Sequence, residues 1–328
     1  MYFKQISTVL PDTRLNIMDE YKSLGLEKYE AQVHTVIYGI KEIRVLPDTE
    51  DFIDFIARPL RNLIRNGVES SSIKFVIYCH TAPWVMPPWQ QTGLLSEVSK
   101  YFPQARFFGT NANKCVSVIS AFELASVILK NLPRPSSGII LAGERALSLG
   151  LRVVKNLTII GDGAGAMVVS NEPDNDYSEK LLSVSVKTEG QYAKGYWLEG
   201  EPARRYEHGY NDAMKNTIQK AAMAAQVDIA DINWIVPHNV NRRAWQNLVE
   251  LIGLDKSCLI LYNLKFMGHC FGLDMLLNLE MLRERHPSEG HDTCMMACAG
   301  LGGIYGAAIF NRSSDMGNAS LHVDGRTP

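Results

Sequence analysis

The sequence predicts an α/β fold made of two similar halves, and a repeated order of reactive residue, helix and strand is the first reason. Cys115 and His269 each stand before a long apolar stretch of helical period. Each stretch is followed by an apolar strand-like run that ends in Ala-Gly, GIILAG at 138–143 and CMMACAG at 294–300. Helices that alternate with strands in this way are typical of layered α/β proteins.

A second pair of matching segments lies upstream. KFVIYCHT at 74–81 and NWIVPHN at 233–239 are both apolar strand-like runs that reach a histidine, which in the second case is His238. Two copies of a βα unit related by a pseudo-twofold axis bring their matching ends together. Cys115, His238 and His269 are therefore predicted to share one site.

The polar segment NEPDNDYSE at 171–179 contains a turn-forming Pro-Asp and is the best boundary between the halves. It divides the chain into residues 1–171, which contain the cysteine, and residues 172–328, which contain the two histidines.

The composition excludes several classes of function. The chain has 328 residues, 46% of them apolar, and a formal net charge of −2, which gives no reason to expect nucleic acid as a partner. Six cysteines without a C-x-x-C pair predict reduced thiols in a cytoplasmic protein, and Cys294 and Cys298 are interpreted as buried apolar side chains rather than metal ligands. The N-terminus does not resemble a signal peptide, and no apolar run is long enough to span a bilayer.

Three segments of the first half predict local structure. Residues 52–66 have apolar side chains at helical spacing, and Gly67 suits a C-terminal cap. Residues 74–79 predict a buried strand. Residues 81–91 contain three prolines and two tryptophans, which predicts a loop that covers a pocket or an interface.

The glycine segment GDGAG at 161–165 admits two interpretations. A dinucleotide-binding turn needs a strand before the glycines and a helix after them. Here β-like runs stand on both sides, at 157–160 and 167–170, so the pattern favours a strand–turn–strand unit over a phosphate cradle.

The residue types at the three predicted site positions suit nucleophilic and acid–base chemistry. A cysteine that opens a helix lies beside backbone N–H groups that favour its thiolate. The alternative interpretation of Cys115 is an unreactive core cysteine. His238 follows a strand in a polar loop and suits acid–base or oxyanion chemistry, with a structural capping histidine as its alternative. His269 is interpreted as opening a helix equivalent to that of Cys115. The joint arrangement is more specific than any one of these residues.

These segments resemble those of thiolase-fold condensing enzymes, and most closely the β-ketoacyl-acyl-carrier-protein synthase III family. The resemblance spans essentially the whole chain and rests on the Cys115 helix, GDGAGA at 161–166, VPHNVNRR at 236–243, NLKFMGH at 263–269 and GLGGIYGAA at 300–308. It implies a thiolase-like αβαβα layered fold of two duplicated halves. It also implies that a cysteine accepts an acyl group from a thioester before a decarboxylative Claisen condensation with a malonyl-type thioester.

The resemblance also implies roles for particular residues. Cys115 would be the acyl-accepting nucleophile, and His238 would be the first of a His/Asn pair. Asn241 and Leu301 would bind the substrate and its pantetheine arm. Met86 matches a position that closes the neighbouring acyl tunnel in a homodimer, with residues 81–91 near the partner's pocket.

The sequence departs from the family pattern at three places. His269 stands where the family usually has asparagine; both residue types donate a hydrogen bond to an enolate oxygen, but only histidine can act as a base. Val33 and Ile37 replace a Trp and an Arg that hold the adenine of CoA. Leu147 and Leu149 occupy the positions where an arginine is expected.

These departures shift the expected acyl donor from CoA to a carrier protein. Arg243, with Arg242 beside it, matches the basic residue that helps to dock an acidic carrier protein. No cofactor and no metal are expected, because the phosphopantetheine-linked thioester is a substrate. The expected partners are an acyl carrier protein and a second copy of the chain, with neither nucleic acid nor a membrane involved.

Three functions remain open from the sequence. The leading hypothesis is a ketosynthase III-like enzyme that loads an acyl group on Cys115 and condenses it with a malonyl-type thioester in specialised metabolism. The first alternative is an acyltransferase that moves the acyl group from Cys115 to a hydroxyl or amine. The second is a non-catalytic partner subunit of a condensing complex, although a subunit of that kind has no need for Cys115, His238 and His269 together.

Overall fold

The computed structural model describes residues 1–81, 88–146, 148–154, 156–174, 177–288 and 290–314. The strands in these residues are β1 (Tyr2–Val9), β2 (Arg14–Asn16), β3 (Glu42–Arg44), β4 (Ile73–Cys79), β5 (Arg106–Thr110), β6 (Ser137–Glu144), β7 (Val153–Val154), β8 (Thr158–Ile159), β9 (Gly163–Ser170), β10 (Tyr177–Thr188), β11 (Trp234–Pro237), β12 (His291–Gly300) and β13 (Ile304–Ser314). The α-helices are α1 (Lys28–Gln32), α2 (Phe52–Arg65), α3 (Pro88–Tyr101), α4 (Ser117–Lys130), α5 (Gly200–Ala225), α6 (Arg242–Leu251), α7 (Leu264–Met267) and α8 (Asp274–Arg285).

Nine of these strands form one sheet in the order β11-β12-β13-β10-β1-β9-β6-β4-β5. Strand β4 runs parallel to β5 and β6, and β11 runs parallel to β12, while the other neighbours are antiparallel. Because β1 pairs with both β9 and β10, the sheet continues across the predicted boundary between the halves. The division at residues 171 and 172 stays a prediction.

Both faces of the sheet are covered, which explains why strands such as β4, β6 and β9 are buried at nearly every position. Along β4, Phe75 and Ile77 pack in the same cluster as α4, whereas Val76 and Tyr78 point the other way and pack in the same cluster as α2 and α3. Successive side chains of a strand point to opposite faces, so a strand between two helical layers needs apolar residues at every position.

Helices α4 and α8 lie between the two halves of the sheet. Phe122 of α4 and Leu276 of α8 belong to one buried cluster with Ile140 of the first half and Met296 of the second. Helices α2 and α3 cover the outer face of the first half, and α5 and α6 cover the outer face of the second. The layers therefore follow the order αβαβα, and the predicted thiolase-like fold class is confirmed.

Most of the local predictions for the first half agree with the structure, and one was wrong in part. Helix α2 ends at Arg65, with Asn66 as its cap and Gly67 at φ +89° immediately after it. The predicted loop at 81–91 is helical from Pro88 onward, because a proline at the first helical position has a suitable φ and no N–H that needs a partner. Residues 82–87, which include Met86, lie outside the described residues.

The two-strand interpretation of the glycine segment is confirmed. Strand β8 precedes GDGAG and β9 begins within it, so no helix N-terminus follows the glycines. Cys294 and Cys298 are fully buried free thiols on β12, as their apolar context predicted. None of the helices in the described residues is long and apolar enough to cross a membrane.

Candidate active site

Cys115 lies on a single tight turn in front of the central helix α4. This turn is a 3-10 turn at Lys114–Val116, and Lys114 adopts a left-handed φ of 54°. The Cys115 side chain is 6% exposed, and the Thr81 hydroxyl approaches its sulfur at 3.7 Å. The sulfur is thus almost buried and close to the backbone that enters α4, as the sequence predicted.

His269 is held in place by the backbone of the glycine segment. Its N–H donates to the Ile159 carbonyl and its carbonyl accepts from the Gly161 N–H, both at 3.0 Å. A Cβ on Gly161 would lie 2.1 Å from the Met267 carbonyl oxygen, so only glycine permits this approach. The glycine segment therefore positions a site residue.

The prediction that His269 opens a helix equivalent to that of Cys115 was wrong. Helix α8 begins at Asp274, five positions further along the chain. The pairing of His269 with Ile159 and Gly161 keeps its backbone out of the helical path, and the chain turns into α8 only after Phe271, at φ 57°.

The structure brings Cys115, His269 and Asp274 into one chain of contacts. His269 Nε2 lies 3.6 Å from the Cys115 sulfur, and His269 Nδ1 lies 2.5 Å from Asp274 Oδ2. Asp274 is fully buried and also accepts hydrogen bonds from the backbone N–H groups of Asn239, at 2.6 Å, and Cys270, at 2.7 Å. One carboxylate therefore fixes both the tautomer and the orientation of the His269 ring.

The surroundings of His269 favour its protonated form. Burial on its own lowers the pKa of a histidine. For His269 the Asp274 carboxylate and the Cys115 sulfur more than offset this cost of burial and raise the pKa to about 10. Asp274 and Cys115 therefore favour the imidazolium form of His269 in this site.

His238 has the opposite environment. Its side chain is 1% exposed, its Nε2 accepts from the Ala299 N–H at 3.4 Å, and its Nδ1 has no hydrogen-bond partner among the described residues. Burial, with a smaller contribution from the charge of His269, holds the pKa of His238 well below its ordinary value. A neutral ring whose Nε2 accepts has its proton on Nδ1.

The three predicted reactive residues line the same cavity, which has a volume of about 480 Å³. The centroids of the His238 and His269 rings lie 5.6 Å apart. Opposite them, helix α5 contributes the aromatic side chains of Tyr206 and Tyr210. The cavity is therefore large enough for an extended acyl or pantetheine chain and has its reactive groups together on one wall.

Some of the other predicted binding residues line the cavity and others do not. Asn241, Arg243 and Leu301 line the cavity. The Asn241 side chain also has structural roles, because its oxygen caps α6 at the Ala244 N–H and its nitrogen donates to the Leu157 carbonyl. Arg242 is not among the described residues that line the cavity. Its guanidinium donates to the Val36 carbonyl at 2.7 Å.

Two of the residues expected to weaken CoA binding lie in a helical turn near the cavity. Val33 and Ile37 belong to the π-helix Val33–Tyr38, whose last residue lines the cavity. The Ile37 side chain is 41% exposed, and Leu149 is also partly exposed. Leu147 lies outside the described residues.

Sequence analysis did not identify Asp274 or Tyr206 as site residues. Asp274 is the single carboxylate near the start of the apolar run CFGLDMLLNL, and a carboxylate in such a run needs a buried partner, which was the available signal. Tyr206 had no comparable signal, because α5 is a long polar helix and only the packing shows which of its side chains face the cavity. No cluster of three or more potential metal ligands occurs in the described part of the chain.

Comparisons with known proteins agree with this geometry. Residues 222–312 match the family model described as 3-oxoacyl-[acyl-carrier-protein (ACP)] synthase III C terminal. A β-ketoacyl-[acyl-carrier-protein] synthase III from Rhodospirillum centenum (strain ATCC 51521 / SW) is 22% identical over 286 residues, which cover 83% of this chain and 87% of that protein.

Solved structures show the same fold. The acyltransferase ChlB3 superposes with a TM-score of 0.79 at 18% identity over 94% of this chain and 96% of its own. The priming β-ketosynthase from the R1128 polyketide biosynthetic pathway superposes with a TM-score of 0.75 at 18% identity over 93% and 94% of the two chains. This chain therefore has the thiolase fold, and it is similar to proteins of the β-ketoacyl-acyl-carrier-protein synthase III family.

Proposed function

We propose that this protein is a condensing enzyme of the ketosynthase III type, which loads an acyl group on Cys115 and condenses it with a malonyl-type thioester. One observation supports this function most directly. The rings of His238 and His269 both line the cavity that contains the Cys115 sulfur. Two histidines beside one nucleophile suit a reaction in which negative charge develops on a single oxygen.

The loading step uses the contact between Cys115 and His269. The Cys115 thiolate attacks the thioester carbonyl of the donor, and a new carbon–sulfur bond forms. The bond to the pantetheine sulfur breaks, and this sulfur leaves as a thiol with the proton that His269 holds on Nε2. The product is an acyl-Cys115 thioester.

The condensation step uses both histidines as donors. The malonyl thioester loses carbon dioxide, and the electron pair of the broken bond moves into an enolate. His269 takes up a proton from solvent before this step, and the N–H groups of His238 and His269 then stabilise the enolate oxygen. Each such donor contributes about 10²–10³-fold in rate. The enolate carbon then attacks the acyl carbonyl, and Cys115 leaves as a thiolate while a β-keto thioester forms.

Acyl transfer to a hydroxyl or amine is the second candidate function. The chain of contacts from Cys115 through His269 to Asp274 has the order of nucleophile, histidine and carboxylate that acyl-transfer triads use. A base must have a free lone pair. The Ala299 N–H occupies that of His238, and His269 has one only after its Nε2 proton has left in the loading step. Acyl transfer would therefore use a neutral His269 as its base, whereas condensation uses the N–H of His269 as a donor.

Release of carbon dioxide from a malonyl thioester distinguishes the two functions. We expect the wild-type protein to decarboxylate malonyl carrier thioester, and Cys115→Ala to lose condensation and acyl loading together. Mass spectrometry of the intact protein measures the acyl adduct, and labelled carbon dioxide measures decarboxylation. A wild-type protein that forms the adduct but releases no carbon dioxide from any donor would establish acyl transfer instead. A protein that does neither would be a non-catalytic partner subunit.

A carrier protein is the donor that the entrance of the cavity fits best. Arg243 is exposed and lines the cavity, where it offers a positive charge to an acidic partner. Ile37 offers an apolar side chain where an adenine ring would need an aromatic or cationic partner. We therefore assign the protein a phosphopantetheine-linked substrate, no cofactor of its own, and a place in specialised metabolism. The fold shared with a polyketide priming ketosynthase supports the last point.

The edge of the sheet supports the expected homodimer. Strand β5 ends the nine-stranded sheet and has no second neighbouring strand among the described residues. Leu124 and Val127 of α4 are 37% and 54% exposed. A free strand edge with exposed apolar side chains in the same half is suited to association with a second copy. A monomer measured by light scattering at micromolar concentration would contradict this assignment.

A further inference from the structure

A second cavity, with a volume of about 640 Å³, lies at the end of α4 that is remote from Cys115. It is formed where the last turns of α4 meet β10 and the start of β1, and among the described residues it shares no lining side chain with the catalytic cavity. Helix α4 has 14 residues, so its length separates the two cavities by about 20 Å. A cavity of this size suits a small molecule.

Three cationic side chains from three different parts of the chain line this second cavity. Lys130 is the last residue of α4, Arg134 lies in the loop that follows, and Lys180 belongs to β10. Among the described residues none of the three forms an ion pair, and Glu123 is the single carboxylate in the lining. A cleft lined mainly by charges of one sign concentrates their field and attracts a counter-ion. The cavity therefore offers a net positive charge to an anion.

The loop that contains Arg134 is held in place by a buried side chain. Asn171 is 8% exposed, and its side-chain oxygen accepts from the Ser136 N–H at 2.9 Å. Its side-chain nitrogen donates to the carbonyls of Leu132 and Pro133, at 3.3 and 3.2 Å. Buried polar contacts of this kind fix the path of the chain. The Arg134 guanidinium therefore extends from a positioned loop, and its planar shape suits the paired oxygens of a phosphate.

Apolar side chains complete the lining. Leu132, Leu181 and Val184 are partly buried and leave the rest of their surface to the cavity. A phosphate monoester has between about 1.5 and 2 negative charges at neutral pH, which suits three cations better than the single charge of a carboxylate. We propose that this cavity binds a phosphorylated small molecule, whose phosphate contacts the three cations and whose alkyl part contacts the apolar side chains. The inference does not rest on the proposed function.

Calorimetric titration of the full chain with octyl phosphate tests the inference. We expect octyl phosphate to bind more tightly than inorganic phosphate, which lacks the alkyl chain, and more tightly than octanol, which lacks the charge. The combined variant Lys130→Gln, Arg134→Gln and Lys180→Gln should raise the Kd for octyl phosphate about tenfold or more, because hydrogen bonds to charged donors are lost.

A second combined variant controls for the change of net charge. Lys28→Gln, Lys41→Gln and Arg65→Gln remove three exposed cations that do not line the cavity, and this variant should bind octyl phosphate as the wild type does. Val127 lines the cavity and is also one of the exposed side chains assigned above to the contact with a second copy. Binding is therefore measured on the protein in the oligomeric state that it adopts in solution.

Lysine labelling in the wild-type protein locates the bound molecule without any variant. Octyl phosphate should protect Lys130 and Lys180 from an amine-reactive ester, as measured by peptide mass spectrometry, and should leave Lys28 and Lys41 as reactive as before. Failure of octyl phosphate to bind, or binding without this protection, would overturn the inference. Equal affinity in the wild type and in the variant without the three cavity cations would also overturn it. Octanol or inorganic phosphate that binds as tightly as octyl phosphate would overturn the assigned class of ligand.

Discussion

The two helices at the centre of the molecule, α4 and α8, are preceded by turns that share a backbone conformation and differ in their side chains. Each follows a three-residue 3-10 turn, Lys114–Val116 before α4 and Phe271–Leu273 before α8. The first residue of each turn has a left-handed φ, 54° for Lys114 and 57° for Phe271. The second residue is Cys115 in one turn and Gly272 in the other.

The difference between the two turns shows how one nucleophile fits a duplicated frame. A Cβ on Gly272 would lie 3.0 Å from the Cys115 carbonyl oxygen, because the two turns pack against each other near the pseudo-twofold axis. The second half therefore has a glycine at the position where the first half has its nucleophile. It contributes His238, His269 and Asp274 instead, so the site is asymmetric and needs both halves.

The histidines that follow β4 and β11 differ between the halves in the same way. Their comparison predicts the largest loss of activity. His80 follows β4 and His238 follows β11, but only His238 is among the described residues that line the cavity with Cys115. We expect His238→Ala to lower decarboxylation of malonyl thioester about 10²–10³-fold, because a donor to the enolate oxygen is lost. His80→Ala, the matched control, should stay within about threefold of the wild type. Equal losses in the two variants would mean that the halves are not functionally distinct.

A substitution where the two turns pack together should have a smaller effect, on the free energy of unfolding. Gly272→Ala should lower the free energy of unfolding by about 1–2 kcal/mol, because the new methyl group crowds both the Cys115 carbonyl and Val118. Gly190→Ala is the matched control, since an added Cβ there meets no atom within 4 Å, and it should change stability by less than about 0.5 kcal/mol. Urea unfolding measures both variants. A Gly272→Ala protein as stable as Gly190→Ala would show that the turns do not constrain each other.

A change of charge at the entrance of the cavity should have the smallest effect, on the KM for the acyl donor. Arg243→Glu should raise the KM for an acyl carrier protein about five- to tenfold and weaken its dependence on salt, because an exposed charge at the cavity acts through screened attraction. Arg242→Glu should have less effect, since the Arg242 guanidinium is bound to the Val36 carbonyl. Steady-state kinetics at two salt concentrations measures both variants. If acyl-CoA is used as well as the carrier thioester, the assignment of the donor is wrong.

Local and periodic features were predictable from the sequence because they depend on neighbouring residues. Side-chain spacing and backbone preference account for the continuous apolar runs that build β4 and β12, the cap of α2 at Asn66 and Gly67, and the strand pair around GDGAG. The start of α3 at Pro88 was missed, because a run of prolines predicts a break without showing on which side of it a helix begins.

The sequence by itself determined that this protein is an α/β chain of two similar halves in which Cys115, His238 and His269 come together. Only the tertiary structure decided the roles of the two histidines. Both are buried against the same cavity, yet Asp274 raises the pKa of His269 to about 10, while burial lowers that of His238. It also decided that the counterpart of Cys115 is Gly272 and not His269. Burial and the contacts of His269 with Cys115, Ile159 and Gly161 depend on groups that are distant in the chain, which no pattern of neighbouring residues records.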